Sequence, residues 1–407
     1  MDERQARETI VRAGIELLKS GLLVRTWGNI SCRLDDARFA ITPSGRAYET
    51  LKPEDIVICS IANANAVPGA GNINPSSERG VHALIYRQCR DAGFVIHTHQ
   101  RFASAMASSM VTAVQNGKMG AIPVAAYGLS GTKKLIRNVE AALAKENGAI
   151  LMAHHGALCY GKEYGETFSA ALALEEACER FMYDSYMKAS GAKNFDKSEM
   201  LDYYVRKVTT NSAERRSGAV SPVQVPVFSI RRSKRSGAGI IASSADGDTA
   251  YGDTSCPSSA SSMPEEARIH FAIYLSRPEI NYIELADQEN VVAASLAGKP
   301  LPQLLDDFAQ MMGRPMRIAP LISGNRPGIA PGAIVKALGK AGGVLIPGAG
   351  ALCCAATEND AHALCLVTEK NALAEICAAM LGKSKPLSPF DCYLMHLVYS
   401  RKYAKLY

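Results

Sequence analysis

The second half of this chain repeats the first, and this repeat constrains the fold more than any other feature. The stretch from Ser77 to Tyr86 has a counterpart from Glu265 to Tyr274, and Gly-Ala-Leu-Cys closes both 148–159 and 343–353. Two copies of one pattern predict two domains of the same topology. A chain of 407 residues is long enough for both, and we place them at 1–212 and 213–407.

The repeat is expected to extend upstream of these segments. On this alignment 228–231 corresponds to 29–33 and 240–244 to 40–44, so that only the first helix lacks a counterpart. Residues 185–221 are polar and predict a linker or docking segment. The basic run Arg231–Arg235 is interpreted as a solvated hairpin tip, with a site for an acidic partner as the alternative.

Composition excludes several classes of protein. With 47% hydrophobic and 21% charged residues the chain is typical of soluble globular proteins, and no apolar run is long enough to cross a membrane. The first residues show no signal segment, and eleven cysteines without Cys-x-x-Cys spacing indicate reduced thiols and a cytoplasmic location. The net charge of +6 is not arranged as a basic stripe with aromatics, which argues against nucleic-acid binding.

Histidines are concentrated in one part of the chain, since five of the eight lie between residues 82 and 155. The apolar run 94–96 predicts a strand that delivers His97 and His99 to one face. A second short strand, 148–153, ends at His154 and His155. Three imidazoles on two strand ends are typical of a catalytic divalent-metal site with an open coordination position. Periodicity does not choose between His154 and His155, and hydrogen-bonded core histidines are the structural alternative.

A carboxylate accompanies this cluster. Glu78 ends the segment Pro75-Ser-Ser-Glu and is a candidate acid/base group beside the metal. Helical and strand periodicities around it predict further elements. The helices are expected at 4–20, 79–90, 135–145 and 167–183, and the strands at 29–33, 38–42 and 55–59.

Seven motifs in order resemble the class II aldolase/adducin family, whose enzymes include L-fuculose-phosphate aldolase. They are Trp27–Ser31, Ile41–Gly45, Leu51–Val57, Pro75–Glu78, His97–His99, Tyr127–Thr132 and His155–Gly156. The resemblance covers roughly residues 5–185, and the second half resembles a degenerate copy without metal ligands.

The resemblance implies a fold and a site. The fold class is α/β, a three-layer α/β/α sandwich around a mostly antiparallel sheet, present as a tandem repeat. The positions that match the family's zinc ligands are His97, His99 and His155, which distinguishes His155 from His154. Glu78 matches the catalytic acid/base. The positions that match the substrate phosphate site are Asn29, Ser44, Gly45, Ser76 and Ser77.

The resemblance also implies a reaction. Ser-Ser-Glu is similar to the aldolases, whereas the ribulose-phosphate 4-epimerases typically carry Ser-Ser-Asp. The expected function is a zinc-dependent cleavage of a ketose 1-phosphate, similar to L-fuculose 1-phosphate, into dihydroxyacetone phosphate and an aldehyde. The alternatives are a dehydratase or epimerase of the same fold, an enzyme acting on an unphosphorylated carbonyl compound, and a noncatalytic adducin-like scaffold.

One departure concerns the proton donor, because Thr112 lies near the position where the fuculose-phosphate aldolases have a tyrosine. Tyr127, Tyr160 or a tyrosine of the second copy is a candidate replacement. Family members form fourfold rings, so a tandem chain is expected to build a pseudo-fourfold ring as a homodimer. Each chain would then hold one Zn²⁺, and the second copy would be architectural.

Overall fold

The computed structural model describes residues 1–68, 73–109, 111–116, 120–143, 148–210, 228–237, 239–252, 263–321, 328–382 and 384–402. Two compact units divide the chain: residues 1–188 with 383–385, and residues 189–382 with 386 onward. They are called the first and second unit. The domain boundary expected near residue 212 lies outside the described residues and stays a prediction.

The first unit is built on an eight-stranded sheet. Its strands are β1 Gly28–Arg33, β2 Arg38–Ile41, β3 Val57–Ser60, β4 Phe94–Thr98, β5 Ala113–Asn116, β6 Gly120–Ala125, β7 Ala149–Met152 and β8 Gly156–Gly161. They lie in the order β3-β2-β1-β4-β8-β7-β6-β5. Only β6 and β7 pair in parallel, and the other neighbours are antiparallel. The mostly antiparallel sheet is therefore confirmed.

Helices cover both faces of this sheet. They are α1 Glu3–Lys19, α2 Arg79–Gln88, α3 Arg101–Ser108, α4 Lys133–Ala142 and α5 Tyr164–Ser190, which ends just beyond the unit. Apolar side chains of α2 and α4 form one core with alternate strand residues such as Val95 and Leu158. Helices α1 and α3 pack against β1, β2, β7 and β8, where the intervening residues such as Ile96 are also buried. Both faces of the central strands β4, β7 and β8 are thus apolar, as a three-layer sandwich requires.

The second unit repeats this plan with fewer strands. Its strands are β9 Arg232–Ser236, β10 Gly239–Ser244, β11 Gly247–Tyr251, β12 Tyr282–Ala286, β13 Gly343–Ile346 and β14 Gly350–Ala355. Its helices are α6 Lys197–Thr210, α7 Glu265–Ser276, α8 Glu289–Leu296, α9 Asp306–Met312, α10 Pro331–Leu338, α11 Glu358–Leu381 and α12 Pro389–Lys402. The order β11-β10-β9-β12-β14-β13 reproduces the run β1-β4-β8-β7 as β9-β12-β14-β13. The tandem repeat is confirmed.

The upstream alignment of the repeat is wrong by a few residues. The counterpart of β1 is the run Arg231–Arg235, not 228–231. Arg33 donates to the carbonyls of Tyr86 and Ala92, and Arg235 donates in the same way to the carbonyls of Tyr274 and Ile280. The basic run is therefore part of an interior strand between β10 and β12, and its interpretation as a solvated hairpin tip is also wrong.

The polar segment 185–221 is not a simple linker in its described part. Helix α5 continues to Ser190, and α6 occupies Lys197–Thr210. Met200 and Tyr204 are buried, which shows that α6 has an apolar side that average polarity concealed. Residues 211–221 lie outside the described part of the chain. Among the described residues, no helix is both long enough and apolar enough to span a bilayer.

Candidate active site

Three histidines converge where strand β4 ends beside the start of strand β8. His97 lies on β4, His99 follows the end of that strand, and His155 immediately precedes β8. The two strands pair closely here, with Thr98 opposite Ala157. A Cβ atom on Gly156 would collide with the carbonyl oxygen of Thr98. Glycine at this position therefore permits the close approach that brings the third histidine to the other two.

The geometry of the three rings suits a metal ion. Nε2 of His97 lies 3.1 Å from Nε2 of His99 and 3.0 Å from Nε2 of His155, and all three side chains are buried. Their ligand atoms form one of the groups that could hold a metal. Nδ1 of His97 donates to the carbonyl oxygen of Ala157 at 2.8 Å, so that its Nε2 keeps the lone pair a metal needs. The donor set fits zinc.

His154 is not part of this group. Its backbone has a positive φ of 64°, and its ring stands edge-on to Tyr127 with centroids 5.6 Å apart. Residues 153–155 form a turn after β7, in which the amide of His155 donates to the carbonyl of Met152, and this turn separates the directions of the two side chains. The structure thus brings together the three predicted ligands, and His154, which strand periodicity did not exclude, lies outside the group.

The carboxylate of Glu78 lies against the histidines. Glu78 precedes α2 and is buried. One oxygen, Oε1, is 3.0 Å from Nε2 of His155, and the other, Oε2, is 3.2 Å from Nε2 of His97. Burial alone would raise the pKa of Glu78, but the charges and hydrogen bonds of His97 and His155 hold it well below its ordinary value.

Two further side chains orient this carboxylate. Nδ2 of Asn29 donates to Oε2 of Glu78 at 2.7 Å, and Oγ of Ser130 donates to Oε1 at 3.0 Å. Ser130 was not among the predicted site residues, although it lies in the motif Tyr127–Thr132. Ser130 lies in a turn that ends at Thr132, whose amide donates to the carbonyl of Leu129 and whose hydroxyl caps α4 by accepting from the amide of Leu135.

The remaining predicted phosphate residues lie on two adjacent loops. The loops meet at a bridge between Pro43 and Pro75, and the amide of Ser44 donates to the carbonyl of Asn74. Ser76 is buried, and its Oγ accepts from the amide of Glu78. Gly45 has a φ of 73°, and Ser77 is exposed. Ser76 thus contacts the backbone of Glu78 directly, while the contact of these residues with phosphate stays a prediction.

The second unit has no corresponding ligands. In the strand register, Leu285, Asp287 and Ala349 replace the three histidines. Asp287 forms an ion pair with Arg231, and no group suited to a metal is formed wholly by described residues of this unit. The counterpart of Glu78 is Glu266, which accepts from the backbone amides at residues 229 and 230. The expected absence of a metal ion from the second unit stays a prediction.

The sequence matches the family described as class II aldolase and adducin N-terminal domain over two segments, residues 8–182 and 232–376. The chain belongs to this family. Its two matching segments correspond to the two units of the structure.

Two relatives indicate the range of chemistry found in this family. A 5-deoxy-D-ribulose 1-phosphate aldolase of Bacillus thuringiensis is 31% identical over 191 residues, which are 45% of this chain and 86% of the relative. A probable L-ribulose-5-phosphate 4-epimerase of Mycoplasma pneumoniae is 27% identical over 197 residues, or 44% of this chain and 81% of the relative. This chain's relatives therefore include both aldolases and epimerases of sugar phosphates.

Solved structures of two aldolases are also similar to parts of this chain. An L-fuculose 1-phosphate aldolase is 27% identical, with a TM-score of 0.42, over 48% of this chain and 92% of that chain. The L-fuculose-1-phosphate aldolase of Thermus thermophilus is 26% identical, with a TM-score of 0.40, over 46% of this chain and 98% of that one. Each of these proteins matches about half of the present chain.

Proposed function

We propose that the first unit is a zinc-dependent aldolase that cleaves a ketose 1-phosphate of the L-fuculose 1-phosphate type into dihydroxyacetone phosphate and an aldehyde. The observation that carries this proposal is the buried cluster of three imidazole Nε2 atoms, two of which lie 3.2 and 3.0 Å from the Glu78 carboxylate. A metal-dependent aldol cleavage needs metal ligands and a proton-transfer group in direct contact.

His97, His99 and His155 would hold the zinc ion. When bound, the ion supplies a Lewis acid for the carbonyl and hydroxyl oxygens of the substrate. The burial of these residues excludes bulk water and strengthens electrostatic interactions in the site. Asn29, Ser44, Gly45, Ser76 and Ser77 would bind the phosphate through hydroxyl, amide and turn N–H donors.

Glu78 would carry the proton in this reaction. Cleavage of the C3–C4 bond turns the C4 hydroxyl into the aldehyde carbonyl, and the residue that replaces the family's tyrosine would accept the proton that this hydroxyl loses. The electron pair of the broken bond stays at C3, and a proton must then reach that carbon to give dihydroxyacetone phosphate. The carboxylate is held between the donors of Asn29 and Ser130, which fixes its two oxygens in place. An acid/base group that is held in a fixed position accelerates proton transfer.

An epimerase is the second candidate, because one relative is a 4-epimerase at 27% identity. Such an enzyme re-forms the bond it breaks and does not protonate C3. The Ser-Ser-Glu segment supports the aldolase, by resemblance to enzymes of that class. The intact set of His97, His99, His155 and Glu78 argues against a noncatalytic scaffold.

The deciding experiment uses the full chain loaded with zinc in D₂O. Ketose 1-phosphates and ketose 5-phosphates are supplied separately, and products are followed by NMR, with the unphosphorylated ketoses as controls. We expect dihydroxyacetone phosphate with one deuterium at C3. An epimer without deuterium would identify the second candidate. A metal-loaded chain that converts none of these compounds would refute the proposal.

A further inference from the structure

A chain of hydrogen bonds runs from the Glu78 carboxylate into the core of the first unit. Asn29 contacts Glu78 through Nδ2, at 2.7 Å, and His82 Nε2 through Oδ1. Nδ1 of His82 lies 2.6 Å from Oγ of Ser31, which lies 2.7 Å from the hydroxyl of Tyr86. All five side chains are buried. His82 has no role in the function proposed above.

The Glu78 carboxylate fixes which atom donates and which accepts in each of these hydrogen bonds. An ionised carboxylate only accepts, so Asn29 must present its amino group to Glu78 and its oxygen to His82. Nε2 of His82 therefore carries the proton, and Nδ1 accepts from Ser31, whose oxygen in turn accepts from Tyr86. Burial lowers the pKa of His82 to about 3, which keeps the ring neutral as this arrangement requires.

We propose that His82 is a positioning residue, which holds the amide of Asn29 in the one orientation that donates to Glu78. The inference rests on the proposed function, because it needs Glu78 as the acid/base group. Without the proton on Nε2, the Asn29 amide loses the contact that fixes its plane, and its hydrogen bond to Oε2 of Glu78 is no longer held in place. Nδ2 of Asn29 has a second hydrogen, so the same amide can link the carboxylate to the substrate phosphate.

A comparison with the second unit distinguishes this positioning role from a purely structural one. The second unit keeps the counterparts of the Ser31, His82 and Tyr86 contacts: Oγ of Ser233 lies 2.7 Å from Nδ1 of His270 and 2.9 Å from the hydroxyl of Tyr274. Arg231 occupies the position of Asn29 in the strand register, and Nε2 of His270 has no hydrogen-bond partner among the described residues. The Ser-His-Tyr contact is common to both units, whereas the link through Asn29 to Glu78 is specific to the first.

Three substitutions in the full, metal-loaded chain test the proposal. In His82→Gln the side-chain amide reaches the place of Nε2 and still donates to Asn29, whereas in His82→Asn it reaches only the place of Nδ1 and keeps the contact with Ser31. His270→Asn is the matched control in the second unit. We expect His82→Asn to lower kcat about 10- to 100-fold, as loss of a supporting hydrogen bond does at such sites, with metal content unchanged. His82→Gln should retain most of kcat, and His270→Asn all of it.

Equal losses in the two His82 variants, or the same loss in His270→Asn, would overturn the positioning role. A readout without activity comes from ¹⁵N NMR of histidine-labelled protein, which should show His82 with its proton on Nε2; a proton on Nδ1 would contradict the proposal. An inactive wild-type chain would refute only the proposed function. The His82 tautomer, and a displaced Glu78 side chain in a crystal structure of His82→Asn, would then decide the positioning role.

Discussion

His97 donates from Nδ1 to the carbonyl oxygen of Ala157, 2.8 Å away on the neighbouring strand. Because a carbonyl only accepts, this bond keeps a proton on Nδ1, and in the neutral ring it leaves the lone pair on Nε2, beside His99 and His155. The register of β4 and β8 therefore sets the tautomer of one expected ligand as well as its position. Sheet pairing and metal binding are linked through one hydrogen bond.

The first prediction concerns the ligand set. His97→Ala removes the Nε2 atom that lies within 3.1 Å of the other two and should abolish tight zinc binding. His154→Ala should keep it, because His154 contacts Tyr127 edge-to-face outside the group. Metal content after gel filtration, measured by mass spectrometry, gives both results. Zinc retained by His97→Ala and lost by His154→Ala would show that the assignment is wrong.

A second prediction concerns Glu78. Glu78→Gln keeps the shape of the side chain but removes the group that exchanges the proton, so turnover should fall about 10²- to 10⁴-fold. Zinc content and the thermal unfolding midpoint should stay close to those of the unchanged chain. Steady-state kinetics on the converted sugar phosphate would measure the loss. Unchanged turnover would rule out Glu78 as the acid/base group.

The third prediction uses a glycine that recurs in both units. A Cβ on Gly156 would collide with the carbonyl of Thr98 and lie 3.3 Å from Cα of His99. Gly350 has the same surroundings, with the carbonyl of Ala286 and Cα of Asp287 at 3.1 Å. Gly156→Ala should push β8 away from β4, destabilise the unit by about 1–3 kcal/mol and weaken zinc binding.

Gly350→Ala is the matched control for that experiment. Its backbone φ of 111° adds strain that alanine tolerates poorly, so it should destabilise at least as much. Zinc affinity, measured by competition with a chromophoric chelator, should nevertheless stay unchanged in Gly350→Ala. Equal effects of the two substitutions on zinc affinity would contradict the local role of Gly156.

Sequence patterns predicted the helices and strands of the first unit well. The helix expected at 4–20 is found at Glu3–Lys19, and the strands expected at 29–33 and 38–42 at Gly28–Arg33 and Arg38–Ile41. The helix expected at 167–183 is longer, at Tyr164–Ser190. These segments have clear periodicity and glycine or turn signals at their ends, which local sequence is sufficient to specify.

Patterns failed where long-range contacts decide the structure. The run Arg231–Arg235 is strongly basic, which is typical of a solvated turn. Arg235 nevertheless donates to the carbonyl of Tyr274 in α7, and its guanidinium lies 5.1 Å from the centroid of the Tyr274 ring. Local charge does not reveal those partners. Ser130 was missed for the same reason, since its contact with Glu78 joins residues 52 positions apart.

A fourth prediction concerns acid stability. Burial lowers the pKa of His270 to about 4, from an ordinary value of 6.5, so the unfolded chain binds this proton more readily than the folded one. The stabilisation is complete above pH 6.5 and is lost as the pH falls toward 4. Between pH 7 and pH 5 the free energy of unfolding should fall by about 2 kcal/mol from this group.

Urea denaturation of the unchanged chain and of His270→Asn, at both pH values, isolates this contribution. The variant should be less stable at pH 7 because His270 contacts Ser233. Its stability should depend less on pH than that of the unchanged chain. An identical pH dependence in the two proteins would show that His270 does not remain neutral in the folded state.

The last prediction concerns how many metal ions the protein holds. The second unit has Leu285, Asp287 and Ala349 at the positions of the three histidines, and Arg231 pairs with Asp287, so a cation has neither ligands nor a favourable charge there. We expect one zinc ion for each chain and, if the chain forms the homodimer that the family resemblance implies, two for each particle. Sedimentation equilibrium gives the number of chains in the particle, and metal analysis of the same sample gives the ratio. His155→Ala should bring this ratio close to zero, because no second site would remain. Two zinc ions per chain, with one retained in His155→Ala, would show that the second unit binds metal and is not only architectural.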